Sequence, residues 1–183
     1  MKQIIGISGS LRKNSFNTIL LQTAEAFFPK GSALKIYDLG GIPLYNNDNA
    51  QDNSAAAIIA FRDIIDNSDG VLIASPEYNY SISGVLKNAL DWATTNEISN
   101  VLDGKPTAIM GASKTIFGTV RSQIHLRQVL LGANAVVVQQ PEVHVRKAQS
   151  IIDKNGVLTD DYTQEKIKQL VHALLAMIDL SKD

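Results

Sequence analysis

The chain has 183 residues and a formal net charge of −1, from 17 basic and 18 acidic side chains. Such an even balance provides no general attraction to nucleic acid or to an anionic membrane surface. Cysteine is absent, which excludes disulfides, thiolate catalysis and cysteine-ligated metals. The first residues lead directly into an apolar segment without a secretory leader, and no apolar run reaches about 20 residues, so we expect a cytoplasmic protein that does not enter membranes.

Strand-like and helix-like segments alternate along the chain without a linker. The strand candidates are residues 3–8, 33–38, 70–74, 107–112 and 135–138, and the helix candidates are residues 15–28, 54–68, 84–93, 118–131 and 163–180. This alternation predicts one flavodoxin-like domain over residues 1–183: a three-layer α/β/α sandwich around a five-stranded parallel sheet of order 2-1-3-4-5. The segments 39–53 and 139–162 are expected to be irregular and exposed.

Ligands of such folds bind beyond the carboxyl ends of the strands, near the switch point between strands 1 and 3. The loop after strand 1 holds hydroxyl groups (Ser8, Ser10 and Ser15), the guanidinium of Arg12 and the amide of Asn17, directly before a helix. A helix N-terminus with hydroxyl and guanidinium donors is typical of a phosphate site, although Ser15 or Asn17 also suits an ordinary helix cap. The loop matches neither G-x-G-x-x-G nor G-x-x-x-x-G-K-[ST], the motifs that bind a dinucleotide pyrophosphate and a nucleoside triphosphate. The phosphate of a mononucleotide fits the loop better.

The loops after strands 3 and 4 suit a planar ring. In the first of them, Pro76 stiffens the backbone, Asn79 offers a donor and an acceptor to an imide edge, and Tyr78 and Tyr80 provide walls. Glu77, taken alone, is predicted to be a solvated acid of the loop rather than a catalytic residue. The later loop, residues 113–119, has small residues that permit close approach of the backbone. A phosphate at one end and a flat hydrogen-bonding ring at the other describe flavin mononucleotide (FMN).

Three motifs, two of them long, carry a resemblance to a known family. Residues 9–17, GSLRKNSFN, resemble the G-S-L-R-x-x-S-x-N phosphate loop of the NAD(P)H-dependent FMN reductases, the flavodoxin-like quinone, azo-dye and chromate reductases. Residues 76–81 and 84–92, PEYNYS and GVLKNALDW, match that family's P-E-Y-N-x-S…G-x-L-K-N-A-x-D-W block. Residues 121–127, RSQIHLR, resemble its R-x-Q-x-x-L-R helix.

The resemblance implies a set of cofactor-binding residues in the three loops. The phosphate side comprises Ser10, Arg12, Ser15, Phe16 and Asn17, and the ring side comprises Pro76, Glu77, Tyr78, Asn79, Ser113 and Gly118. The family typically forms homodimers or dimers of dimers. The chain departs from the family pattern at Ser83, where a proline is common and a looser second loop is expected, and at Lys114 and Thr115 in the third loop.

The expected function is an FMN-dependent oxidoreductase that passes a hydride from NAD(P)H through bound FMN to quinones, free flavin or other small oxidants such as azo dyes and chromate. No catalytic side chain is expected, because the flavin carries the chemistry. His125, His144 and His172 show no metal-ligand spacing, so no metal is expected. The alternatives are a flavodoxin-type electron carrier, which the near-neutral charge disfavours, and a non-enzymatic sensor of a phosphorylated ligand.

Overall fold

The computed structural model describes residues 1–49, 56–95 and 99–181. Its strands are β1 (Lys2–Ser8), β2 (Ser32–Tyr37), β3 (Gly70–Ala74), β4 (Pro106–Ala112), β5 (Val136–Val137) and β6 (His144–Val145). The helices within those ranges are α1 (Phe16–Glu25), α2 (Ala56–Asp66), α3 (Gly84–Ala93), α4 (Val120–Gly132) and α5 (Asp161–Leu180). None of these helices is both long and apolar enough to cross a membrane.

The sheet confirms the predicted parallel order, β2-β1-β3-β4-β5. It differs from the prediction at one edge, where β6 also pairs with β4, through Gly111 with His144 and Ala112 with Val145. The segment 139–162 is therefore not simply irregular and exposed, since Val143, Val145 and Ala148 are buried. A strand of two residues shows no repeated alternation in the sequence, because it spans a single period of the pattern.

The sheet has an apolar layer on each face because successive strand residues point to opposite sides. Ile4 and Leu72 pack in the layer formed with α1 and α5. Ile5 and Ile73 pack in the layer formed with α2, α3 and α4. Burying each of these side chains contributes roughly 1.5–3 kcal/mol. The two layers confirm the sandwich and leave the loops at the carboxyl ends of the strands free to form a site.

The ends of the helices show where the sequence predicts a helix boundary correctly and where it does not. α3 begins and ends as predicted, with Ser83 as its N-cap. α4 begins two residues later than predicted, because Gly118 and Thr119 adopt positive φ angles of 59° and 68°. Residues 54–55 of the predicted second helix lie outside the described part of the chain.

Trp92, the one tryptophan of the sequence, reports on the packing of α3. Its side chain is fully buried, and its Nε1 donates a hydrogen bond of 2.9 Å to the carbonyl of Pro43. The ring of Tyr45 meets it edge-on, with the ring centroids 4.8 Å apart. Intrinsic fluorescence therefore follows the docking of α3 against the segment after β2.

The N-cap of α5 leads to a prediction on stability and pH. The Asp160 carboxylate accepts hydrogen bonds from Thr163 Oγ1 (2.6 Å) and from the Thr163 backbone N–H (2.8 Å). These bonds, the side-chain one first, lower the pKa of Asp160 below its usual value. We expect Asp160→Ala to lower the free energy of unfolding by about 1 kcal/mol at pH 7, measured by urea unfolding with Trp92 fluorescence.

The same carboxylate fixes the direction of the pH effect. A lowered pKa in the folded state stabilises the protein above the pKa of the unfolded state, and the gain disappears as the pH falls through the folded-state value. The difference between wild type and Asp160→Ala is therefore expected to shrink in acid. Asp161→Ala, one residue further on, is the matched control. A difference that grows in acid would contradict the assignment.

Candidate active site

A cavity of about 230 Å³ lies at the carboxyl ends of β1, β3 and β4. Its walls come from the three loops that the sequence singled out. Every predicted binding residue lies on these walls except Asn79 and Gly118. Four further residues complete the lining: Asn14, Ala112, Lys114 and Thr115. The topology thus brings together residues that are far apart in the chain, from Ser10 to Thr115.

The first loop combines a helix N-terminus with an unpaired cation. Ser15 caps α1 and accepts a hydrogen bond of 3.2 Å from the backbone N–H of Asn17. Arg12 is exposed and forms no ion pair with any residue that the structure describes. Ser10 is buried beside it. Hydroxyl groups, a free guanidinium and the positive end of a helix dipole form a donor set that fits a phosphate group.

Asn17 connects the first loop to the third. Its Oδ1 accepts a hydrogen bond of 2.9 Å from the backbone N–H of Ala112, and its Nδ2 donates one of 3.2 Å to the Ala112 carbonyl. The side chain is buried, with 3% of its surface exposed. Asn17 therefore lies at the cavity as predicted, but its amide holds the end of β4 against α1.

This pair of bonds predicts a large loss of stability for Asn17→Ala. Both backbone groups of Ala112 would lose their side-chain partner inside the protein, at a cost of about 1–3 kcal/mol. Urea unfolding followed by Trp92 fluorescence measures the change. Asn67→Ala is the control, since Asn67 is exposed and its Nδ2 bonds only to the local carbonyl of Asp63 at 2.8 Å. Equal losses in the two variants would contradict the role of Asn17.

The second loop is a tight hairpin. Tyr78 and Ser81 exchange two backbone hydrogen bonds of 3.0 Å, and Asn79 and Tyr80 between them have φ angles of 49° and 68°. Two consecutive left-handed residues are the signature of a type I′ turn. The turn places Asn79 at an exposed tip, which explains why it is absent from the cavity lining although its neighbours Glu77 and Tyr78 belong to it.

Glu77 is not the solvated acid that the sequence suggested, since only 8% of its side chain is exposed. Its Oε1 lies 2.6 Å from both Nε and Nη2 of Arg121. Its Oε2 accepts from the backbone N–H groups of Arg121 (3.1 Å) and Ser122 (3.4 Å). Because Thr119 makes no side-chain cap for α4, the carboxylate of Glu77 provides that cap from another loop.

Ser83 also differs from its expected role. Its side chain is buried, and its Oγ donates a hydrogen bond of 2.6 Å to the carbonyl of Gly9 while accepting one of 3.3 Å from the Leu86 N–H. The residue that replaces a common proline thus ties the second loop to the first. It does not loosen that loop.

The third loop rests against the segment around β6. The N–H of Ser113 donates to the Val145 carbonyl, and the Ser113 carbonyl accepts from the N–H of Ala148, both at 3.0 Å. A Cβ on Gly118 would lie 2.9 Å from Arg146 Cγ and 3.0 Å from the His144 carbonyl. Gly118 therefore faces β6 rather than the cavity, and its predicted contact with a cofactor is not supported by its position.

A larger cavity of about 510 Å³ lies between β6 and the start of α5. It contains none of the loop residues predicted to bind, and its charged side chains are of both signs, including Glu142, Arg146 and Lys166. His144 borders it, whereas His125 and His172 are exposed on α4 and α5. The described residues contain no cluster of three potential metal ligands. We place the site at the smaller cavity, because the three predicted loops line it and Arg12 lies there together with the N-terminal residues of α1.

The fold and the three loops define a flavodoxin-like protein with a cavity at the switch point of its sheet, and the donors on one side of that cavity fit a phosphate group. The family model for NADPH-dependent FMN reductase matches residues 2–150. An NAD(P)H-dependent FMN reductase of Pseudomonas aeruginosa is 45% identical over 172 residues, covering 94% of this chain and 92% of the relative. The chain belongs to the NADPH-dependent FMN reductase family, so FMN is its cofactor and NAD(P)H its co-substrate.

Further similarities extend over almost the whole chain. A 2-hydroxy-1,4-benzoquinone reductase from a Burkholderia species is 38% identical, covering 96% of each protein. Among solved structures, the flavoenzyme FerB of Paracoccus denitrificans, an NAD(P)H:(acceptor) oxidoreductase, superposes with a TM-score of 0.90 at 31% identity, covering 99% of each chain. The family membership and the fold are thus supported independently.

Proposed function

We propose that this chain, acting as one unit over residues 1–183, reduces quinones with electrons from NAD(P)H through FMN bound at the three-loop cavity. The observation that carries the proposal is the coincidence of the free Arg12 guanidinium with the capped N-terminus of α1 at the mouth of the sheet. The quinone is supported by the relatives, since one of them is a benzoquinone reductase at 38% identity. Free flavin and other small oxidants, azo dyes and chromate among them, belong to the same proposal.

The chain's own residues would hold the cofactor at its two ends. Ser10, Arg12 and Ser15 would bind the phosphate, because their donors surround the start of α1. The stiff segment Pro76–Tyr78 and Ser113 would border the ring. When bound, FMN would supply the redox chemistry as the carrier of a hydride equivalent, two electrons and one proton, from NAD(P)H to the acceptor, and a quinone would take its second proton from solvent. No side chain is proposed as an acid or a base.

NAD(P)H and the acceptor would use the same open side of the cavity in turn. Tyr78 is 47% exposed at that side, so a planar group can approach it without displacing the core. Sequential occupancy of one place predicts ping-pong kinetics, in which the oxidised nicotinamide leaves before the quinone binds.

A cytoplasmic homodimer or dimer of dimers completes the proposal. α4 presents Ile124 and Leu131 with 53% and 77% of their surface exposed, and large apolar side chains grouped on one helix favour association between copies. Sedimentation velocity of the purified protein measures the assembly, and a monomer at micromolar concentration would contradict this part of the proposal.

The proposed activity is tested by NAD(P)H oxidation with a benzoquinone acceptor. Apoprotein, apoprotein with added FMN, and FMN alone are compared with NADH and with NADPH. We expect turnover only when protein and FMN are both present, and parallel lines in double-reciprocal plots at several quinone concentrations. No turnover in any mixture, or turnover that does not depend on FMN, would overturn the proposal.

A further inference from the structure

The guanidinium of Arg121 lies over two aromatic rings, one from the second loop and one from the third. Its Cζ is 4.0 Å from the centroid of Tyr80 and 4.3 Å from that of Phe117. The same guanidinium bonds to Glu77, which lines the cavity. Arg121 therefore contacts the second loop at two places and the third loop at one, although it belongs to neither.

The stack of Tyr80, Arg121 and Phe117 buries little of the two aromatic residues. Tyr80 is 64% exposed and Phe117 is 48% exposed, so about half or more of each residue remains in contact with water. An exposed cation–π contact is worth roughly 0.5–1 kcal/mol. Two such contacts on a partly exposed guanidinium add little to the free energy of folding. They do connect Tyr80 of the second loop to Phe117 of the third.

The second loop needs such a restraint. Tyr80 is a bulky residue with a φ of 68°, a conformation that costs of order 1–3 kcal/mol and persists when the surroundings hold it. Arg121 contacts the loop at two places, at Tyr80 in the turn and at the carboxylate of Glu77 before it. His125, one helical turn further along α4, adds a bond of 3.1 Å between its Nδ1 and Ser81 Oγ.

We propose that Arg121 is a positioning residue for the flavin ring. The Glu77–Arg121 pair and the Tyr80–Arg121–Phe117 stack hold the second and third loops at a fixed separation, and this separation sets the width of the slot for the isoalloxazine ring and the planar substrate beside it. Among the described residues, no hydrogen bond, ion pair or ring contact joins Arg121 to the phosphate loop. The inference rests on the proposed function, because the slot matters only if a flavin occupies it.

A comparison of two flavins separates this role from phosphate binding. FMN and riboflavin share the ring and differ in the phosphate, so their dissociation constants are measured on apoprotein by flavin fluorescence titration. We expect Arg121→Met to weaken both by a similar factor, about tenfold or more, leaving their ratio unchanged. We also expect the KM for benzoquinone to rise more than kcat falls, since the slot is misplaced while the bound ring keeps its chemistry.

The controls use the same helix. Arg127→Met removes an arginine from α4 that donates to the Val138 carbonyl at 3.1 Å and, within the described part of the chain, forms no hydrogen bond, ion pair or ring contact with either loop. It is expected to leave both dissociation constants unchanged. Glu77→Gln and Arg121→Lys should also weaken FMN and riboflavin by a common factor, smaller than that of Arg121→Met. These two variants replace Arg121→Met in the test if that variant does not fold.

Two negative results are distinguishable. Binding of both flavins by Arg121→Met with the affinities of Arg127→Met would overturn the positioning role while leaving the proposed function intact. A wild-type apoprotein that binds neither flavin would overturn the proposed function, and this inference with it.

Discussion

Arg12→Ala is expected to weaken FMN binding by about ten- to a hundredfold while leaving riboflavin binding nearly unchanged. A charge-assisted hydrogen bond to a phosphate is worth about 1.5–3 kcal/mol, and every 1.4 kcal/mol corresponds to a factor of ten. Arg12 lines the cavity and has no ion pair with any described residue, so its charge is available to the ligand. Flavin fluorescence titration of apoprotein measures both constants.

Lys13→Ala is the matched control for this prediction. Lys13 is the next residue, carries the same charge and is exposed, but it does not line the cavity. If Lys13→Ala weakens FMN binding as much as Arg12→Ala, the phosphate is held by a general field rather than by a placed guanidinium. If Arg12→Ala weakens riboflavin as strongly as FMN, Arg12 lies at the ring and the orientation of the cofactor is reversed.

Gly111→Ala is expected to cause the largest loss of stability of any single added methyl group in the site. A Cβ at this position would overlap Thr119 Oγ1 and the backbone carbonyl of Ser75, and a backbone carbonyl at the end of β3 cannot move aside. Overpacking of a fixed core position costs about 1–3 kcal/mol and occasionally more, and we expect about 3 kcal/mol here. Urea unfolding monitored by Trp92 fluorescence measures the loss.

Gly132→Ala is the control, because a Cβ at Gly132 would meet nothing within 4 Å. Gly132 is the last residue of α4, and alanine there is expected to change stability by less than about 1 kcal/mol, in the stabilising direction. A Gly111→Ala variant within 1 kcal/mol of wild type would show that Ser75 and Thr119 can move away from β4, and that this close approach does not fix the cavity.

The order of the sheet and the position of the site could be predicted from the sequence because both rest on local signals. Strands such as Gly70–Ala74 are buried on both faces and appear as continuous apolar runs. Alternation of such runs with amphipathic helices limits the topology to a few right-handed arrangements. The polar loops after three of the strands then meet at one edge of the sheet, and the cavity at that edge is lined by Arg12, Pro76 and Ser113 as predicted.

The contacts that the sequence did not reveal are long-range or conformational. Glu77 and Arg121 are 44 positions apart, and nothing in either local pattern indicates that they pair. The only signal was that Arg121 opens the third motif of the family resemblance. Asn79 does not line the cavity as predicted, because it lies at the exposed tip of a type I′ turn. Such a turn needs two left-handed residues, and here Asn79 and Tyr80 adopt that conformation without a glycine.

Backbone geometry also explains the difference at the third loop. Gly118 has a positive φ and packs against His144, a contact that exists only because β6 joins the sheet. The sequence does not predict β6, and without that strand the small residues of this loop, Gly118 included, suit close approach of the backbone to a flat ring. The same missing strand made the segment 139–162 look exposed, whereas its backbone supports Ser113.

The visible absorption spectrum of the FMN-loaded protein, recorded without oxygen before and after addition of NADPH, tests the central proposal most directly. We predict a protein-bound flavin spectrum that loses its visible band on addition of NADPH and regains it when benzoquinone is added. A protein that retains no flavin after gel filtration, or a bound flavin that keeps its visible band in excess NADPH and in excess NADH, would contradict the assignment of this chain as an FMN-dependent quinone reductase.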